Sequence, residues 1–317
     1  MKMIVLDSQP FDAGDLCWAP IADQGDLSLY EQTGAAESAS RMAEADVVFT
    51  NKVPIGRAEL EGAPNLRYIG VLATGYNVVD VAAARTRGID VCNAPAYSGP
   101  SVAQSTIASL LELTNQIGAH DRTVRKGEWL ASDRFSFWLS PLTELAGKTM
   151  TIIGYGDIGS RVAKIASALG MTVIAAQLPG RTAKETDVPR LPLLDALAAA
   201  DVLSLHCPLN STTTAIINSD SLAQMKPGSL LINTSRGGLV DEDAVIAALN
   251  SGHLGGFATD VLSVEPAAHS HPVLQAPNCI VTPHFAWATL ESRQRLMNIC
   301  AGNLRAWRAG SPQNLVN

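Results

Sequence analysis

Residues 151–163 read TIIGYGDIGSRVA: an apolar run, then Gly154, Gly156 and Gly159 at G-x-G-x-x-G spacing, then the start of a helical pattern. Each glycine has its own reason to lack a side chain. The first makes a tight turn, the second lets backbone approach a pyrophosphate, and the third lets helix and strand touch. The phosphates would then meet the positive end of the following helix. Such a triplet alone is a weak signal. Here a strand enters it, a helix leaves it and a second strand, MTVIAA (171–176), follows, so the stretch reads as a dinucleotide-binding βαβ unit.

That second strand ends at Ala176, and the next residue is Gln177, where the fold usually carries an Asp or Glu that binds the adenosine ribose hydroxyls. A carboxylate there repels a 2′-phosphate; neutral Gln177 does not, and Arg181 is close enough in sequence to pair with one. NADP(H) is therefore slightly favoured. NAD(H) stays open, because Gln177 can equally bond a ribose hydroxyl while Arg181 remains a solvated charge.

Outward from this unit, short apolar runs alternate with helical stretches on both sides. After it come DVLSLHC (201–207), SLLINTS (229–235), GFATDV (256–261) and CIVTPH (279–284); before it come MIVLD (3–7), ADVVFT (45–50), LRYIGVLA (66–73) and IDVCNA (89–94). Alternation of this kind builds parallel sheets covered by helices. The fold class is α/β, with two doubly wound, Rossmann-like parallel-sheet domains. Helical spacing of Val102, Ile107, Leu110, Leu111, Leu113 and Ile117 predicts one long helix from Ser101 to about Lys126, and LESRQRLMNICAGNLRAWRA (290–309) predicts another that returns to the first domain. The expected division is 1–98 with 289–317 as a substrate domain and 99–288 as the dinucleotide-binding domain.

At 317 residues, 47% hydrophobic and 17% charged, the chain can bury the cores of about two domains. The balance of 23 basic to 30 acidic residues, net −7, with no basic run, argues against nucleic-acid binding. Cys17, Cys92, Cys207, Cys279 and Cys300 are odd in number and form no C-x-x-C pair, so neither a disulfide framework nor a metal site is indicated. MKMIVLDSQP enters a strand-like run at once, and no stretch nears the ~20 apolar residues of a membrane span, so a cytoplasmic protein is expected.

Four segments, in order, carry a resemblance: LATGYNVVD (72–80), the glycine loop, LINTSRGGLVDEDAVIAAL (231–249), and ATDVLSVEP (258–266) followed by VTPH (281–284). Together the chain resembles the D-isomer-specific 2-hydroxyacid dehydrogenases from about residue 45 onward. GYNVVDVAAARTRGIDVCNAPAYS (75–98), Gln104 and the connector FSFW (135–138) with ELAGKTM (144–150) look most like the glycerate dehydrogenase and hydroxypyruvate reductase branch. The resemblance implies two Rossmann-like domains around an active-site cleft, hydride exchange between a nicotinamide cofactor and a small 2-keto acid, and a homodimer.

Reducing a 2-keto acid requires a cation for the carboxylate and carbonyl, and an acid to protonate the oxygen. The resemblance assigns these roles to Arg236, whose planar fork suits a carboxylate, and to His284, whose imidazole can give and take a proton near neutral pH. Glu265 would hold the histidine's tautomer. Arg236 could instead be spent in a salt bridge to Asp241 or Glu242. By the same analogy Ala73, Thr74 and Gly75, ahead of Tyr76, receive the substrate carboxylate on backbone N–H groups, and Trp138 completes the substrate set. Trp138 and Phe137 either close the pocket, from a partner subunit, or are ordinary dimer-core aromatics. Cofactor contacts fall to Val102, Tyr155, Asp157, Ile158, His206, Cys207, Pro208, Thr213, Thr234, Ser235 and Asp260 beside the glycines, with His206 equally readable as a packed strand-end residue.

The competing readings are a reductase of bulkier 2-keto acids, and a non-catalytic NAD(H)-sensing scaffold like the co-repressors of this fold. Small Ala73 and Thr74 lean toward small substrates. Glu265 argues against a formate dehydrogenase, whose relatives carry Gln there because no proton acid is needed.

Overall fold

The computed structural model describes residues 1–180 and 186–317, so Arg181, the expected partner of a 2′-phosphate, lies outside the described residues. The chain divides into two compact units, Met1–Ser98 with Trp287–Asn317, and Gly99–Ala286.

In the first unit, β1 (Lys2–Val5), β2 (Asp26–Leu29), β3 (Val47–Thr50), β4 (Tyr68–Val71) and β5 (Asp90–Cys92) form one parallel sheet in the order β2-β1-β3-β4-β5. Successive strand residues point to opposite faces. Met3, Val5, Phe49 and Tyr68 therefore fill one core, and Ile4, Leu6, Val48 and Ile69 the other. The helix Leu290–Arg308 covers the first face with Leu296, Met297, Cys300 and Leu304, an apolar stripe at helical spacing. Each such fully buried aliphatic side chain contributes about 1.5–3 kcal/mol. Trp287, which the sequence reading assigned to the second domain, packs edge-on to Tyr97 at 6.2 Å between ring centroids and belongs to this unit.

Among the described residues the second unit holds seven parallel strands: β6 (Thr149–Ile153), β7 (Thr172–Gln177), β8 (Arg190–Pro192), β9 (Val202–Leu205), β10 (Ser229–Asn233), β11 (Leu254–Thr259) and β12 (Cys279–Val281). Their order is β12-β11-β10-β9-β6-β7-β8. The pairs Ile152/Ile153, Val202/Leu203, Leu231/Ile232 and Phe257/Ala258 split between two cores, one under the helices Gly99–Asn115 and Asp157–Ala168, the other under Leu193–Ala199, Ser219–Gln224 and Glu242–Asn250.

The single helix expected from Ser101 to about Lys126 is in fact two, Gly99–Asn115 and Ile117–Arg125, separated by Gln116 in the left-handed region at φ 50°. The second segment buries no residue, so no core contact holds it coaxial with the first. Glu112 accepts the Gly118 N–H at 3.3 Å and seats the new start.

Candidate active site

A parallel sheet sends every strand's exit loop to one edge, so strand order dictates which loops are neighbours. Along the carboxyl edge of the second sheet the exits run Gln177 after β7, Gly154 after β6, His206 after β9, Arg236 after β10, Glu265 after β11 and His284 after β12. Connections run one way from β6 and the other way from β9, which makes the gap between these strands the switch point where open α/β sheets collect ligands. With strands about 4.8 Å apart, the glycine loop and the β11 exit are separated by roughly 14 Å along this edge. The phosphate-binding features and the charged trio are thus laid side by side.

The three glycines do different work. Gly154, at φ +98°, presses on β9: an added Cβ would stand 2.4 Å from the Cys207 nitrogen and 2.5 Å from the His206 carbonyl carbon. Gly159 presses back on the loop, its Cβ position only 2.2 Å from the Gly154 oxygen. At Gly156 a Cβ would meet nothing within 4 Å, and no side chain caps the twelve-residue helix Asp157–Ala168 that starts there. An exposed glycine before uncapped N–H groups is a cradle that a Cβ would fill and a phosphate fits. Nδ1 of His206, buried without a hydrogen-bond partner beside this loop, is a further polar atom consistent with a ligand there. Replacing Gly156 with alanine is expected to leave Tm unchanged while weakening NADH and NADPH binding at least tenfold in fluorescence titration. Gly154→Ala should lower Tm instead. Equal effects on Tm would remove this division of labour.

The other expected cofactor residues fall into distinct situations. Gln177 is exposed at the end of β7. Tyr155 donates its hydroxyl to Asp187, and burial, with that bond, pushes its pKa up to about 12. Asp157 pairs with Arg161 at 2.9 Å, and its other oxygen lies against Gly99, where a Cβ would come within 2.0 Å, so the carboxylate seats the first helix of the unit. Ile158 and Val102 pack on hydrophobic core. Ring Nε2 of His206 meets Ser204 Oγ at 2.8 Å, and burial pushes the ring's pKa down to about 3, so it is neutral at ordinary pH. Cys207 is buried, and Pro208 accepts the Thr213 hydroxyl at 2.7 Å, which spends Thr213 inside its own turn. Thr234 Oγ1 lies 2.9 Å from Thr106 Oγ1.

Arg236 is exposed at the exit of β10, and its guanidinium donates to the Ser235 carbonyl at 2.7 Å. Asn233, the last strand residue, fixes the turn by donating to the Arg236 carbonyl at 2.9 Å and accepting the Ser235 N–H at 3.0 Å. Neither carboxylate that might neutralise Arg236 does so. Asp241 caps the helix Glu242–Asn250, and Glu242 is bonded to Ser263. Glu265 and His284 meet: Oε2 lies 2.6 Å from Nδ1, while Oε1 accepts the Leu262 N–H at 2.8 Å. His284 itself sits in the left-handed region, φ 54°, in a turn closed by its N–H on the Thr282 carbonyl at 3.0 Å.

Asp260, expected beside the nicotinamide, is 4% exposed and has both oxygens engaged. They accept Thr282 Oγ1 at 2.6 Å, Phe285 N–H at 3.0 Å and Ala286 N–H at 2.8 Å. Its visible work is to hold the turn that carries His284. In the first unit, Thr74 donates its hydroxyl to the Ala94 carbonyl at 2.9 Å, Asn93 Nδ2 reaches the Thr74 carbonyl at 2.7 Å, and the Ala94 N–H bonds to the Ala73 carbonyl at 3.0 Å, which anchors the turn containing Gly75 and Tyr76 to the β5 exit. Trp138 is 66% exposed, whereas Phe137 lies 6.2 Å from the His120 ring. The sequence reading missed Asn233, although a polar residue closing the apolar run SLLIN was a usable signal.

Residues 107–286 match the model of the D-isomer specific 2-hydroxyacid dehydrogenase NAD-binding domain. The chain is 46% identical to a hydroxypyruvate reductase of Blautia hydrogenotrophica over the whole of both chains, and 39% identical to a glycerate dehydrogenase of Methylorubrum extorquens over 90% of each. An NADPH-dependent glyoxylate/hydroxypyruvate reductase from Sinorhizobium meliloti, crystallised with NADP and malonate, superimposes with a TM-score of 0.84 at 27% identity, covering 99% of this chain and 96% of that one.

Proposed function

The chain belongs to the D-isomer specific 2-hydroxyacid dehydrogenases, and from that premise we propose that it reduces small 2-keto acids, hydroxypyruvate and glyoxylate foremost, with NADP(H) slightly favoured over NAD(H). The observation that carries the reading is the 2.6 Å contact between Glu265 and His284, one strand exit from Arg236.

A carboxylate on Nδ1 selects the imidazole tautomer and steadies the charged ring, so proton exchange with substrate takes place at Nε2. In reduction His284 gives that proton to the carbonyl oxygen; in oxidation it removes the hydroxyl proton. Arg236 holds the substrate carboxylate and polarises the carbonyl. A reduced nicotinamide, when bound, supplies the hydride. Gln177 supports NADP(H) use because it places no negative charge at the end of β7.

Initial rates of NADPH and of NADH oxidation with hydroxypyruvate, glyoxylate, pyruvate and phenylpyruvate test this. Fast turnover of the first two is expected. Activity confined to phenylpyruvate would replace the substrate class, and no turnover of any would revive the scaffold reading. Gln177→Asp should lower kcat/KM for NADPH about tenfold or more, the scale of one charged contact, and spare NADH; unchanged NADPH kinetics would take Gln177 out of the argument.

A homodimer belongs to the same proposal. Ile117, Leu130, Phe135 and Trp138 are 65%, 86%, 95% and 66% exposed within one short stretch, a concentration of apolar surface that a second copy of the chain would cover. A mass near 33.4 kDa by light scattering would refute it.

A further inference from the structure

Glu242 lies outside the roles assigned so far, yet both oxygens of its carboxylate are engaged next to the catalytic loop. It is the first residue of the helix Glu242–Asn250, whose Val245 and Leu249 are buried in the core and whose N-cap is closed by Asp241. From that fixed base Oε1 accepts the Ser263 N–H at 2.7 Å and Oε2 accepts the Ser263 hydroxyl at 2.8 Å. Behind it stands His271, whose Nε2 is 3.3 Å from Oε2. Nδ1 of His271 accepts the Val273 N–H at 3.3 Å, which leaves the ring proton on Nε2, facing Glu242.

The same peptide is gripped from its other side. A Cβ on Gly237, in the turn just after Arg236, would stand 2.0 Å from the Leu262 carbonyl carbon and 2.3 Å from the Ser263 nitrogen. Two bonds further along, the Leu262 N–H orients Glu265, and Glu265 orients His284. The Leu262–Ser263 peptide is therefore held between the Arg236 turn and Glu242, and the Leu262 N–H that aims Glu265 sits on the same Cα, in the adjoining Val261–Leu262 peptide.

We propose that Glu242, backed by His271, is a positioning residue that sets the Glu265–His284 geometry by clamping the Leu262–Ser263 peptide against the turn of Arg236. This rests on His284 being the acid/base of the reaction. Glu242 touches no reacting atom; its effect travels through one loop, and misplacing a catalytic group by an ångström costs on the order of 10²-fold.

The test is a set of variants of the full-length enzyme, assayed well below each variant's Tm. Glu242→Ala is expected to lower kcat about 10- to 100-fold, with KM for hydroxypyruvate and the Kd for NADPH by fluorescence titration each within about twofold of wild type. Glu242→Gln, which keeps an acceptor for Ser263, should recover to within about fivefold. In a His284→Ala background, Glu242→Ala should have no further effect, because the group it positions is gone. Full activity of Glu242→Ala, or a further loss of the same size in the His284→Ala background, would overturn the proposal; a fully active His284→Ala enzyme would instead overturn the reading on which it rests. If Glu242→Ala does not fold, the Gln variant alone and in the double background decides between these outcomes.

Discussion

Replacing His284 with alanine is expected to lower kcat for keto-acid reduction by about 10²- to 10⁴-fold, the usual contribution of a positioned general acid. The ring is anchored on both sides: Glu265 holds Nδ1 at 2.6 Å, and the backbone turn that presents it is tied down by Asp260 through Thr282, Phe285 and Ala286. Removing the ring would therefore delete the proposed proton transfer and leave these supports in place. Cofactor affinity should be unchanged, since the glycine loop lies four strand exits away along the sheet edge. The check is kcat by stopped-flow NADPH oxidation alongside Kd by fluorescence titration. A kcat within a few-fold of wild type would end the assignment of His284, and a parallel collapse of cofactor binding would point to a structural role.

Gly237→Ala is the second large expected effect, and it comes from packing alone. The added methyl would sit 2.0 Å from the Leu262 carbonyl carbon and 2.2 Å from its oxygen, backbone atoms that no side-chain rotation can clear. Overpacking of this kind costs about 1–3 kcal/mol, occasionally more. It also forces apart the turn of Arg236 and the loop of Glu265. Tm is expected to fall by several degrees and kcat/KM by about 10²-fold, because both charged groups move relative to each other. An alanine enzyme with wild-type Tm and kcat/KM would show that these loops are not held by their contact. By comparison, the nearest atoms to a Cβ on Gly238 belong to the flexible side chain of Leu209. Alanine there should be far better tolerated, which makes it the control.

The glycine loop was legible in the chain. Gly154, Gly156 and Gly159 could be assigned separate duties from spacing alone, and the distances at each glycine fit those duties. The long helix was legible only as an apolar period, so the break at Gln116 was missed: periodicity counts side chains that face a core, and the second segment faces none. Asp260 shows a different limit. As a letter in ATDVLSVEP it matches a cofactor contact, but its three bonds to residues 282–286 depend on β12 lying next to β11, a pairing that local sequence does not encode.

By itself, then, the sequence determined the α/β class and the dinucleotide loop, because these follow from residue types at fixed local spacings: alternation for strands, glycines for a tight turn; the roles of Arg236, Glu265 and His284 came from the family resemblance. Tertiary structure decided the rest. Glu265 can reach His284 only because parallel strands β11 and β12 are neighbours, and Glu242 can grip Ser263 only because a helix and a loop twenty-one residues apart pack together. Contacts of that kind are set by strand order and close packing, which depend on the whole chain and appear in no single stretch of it.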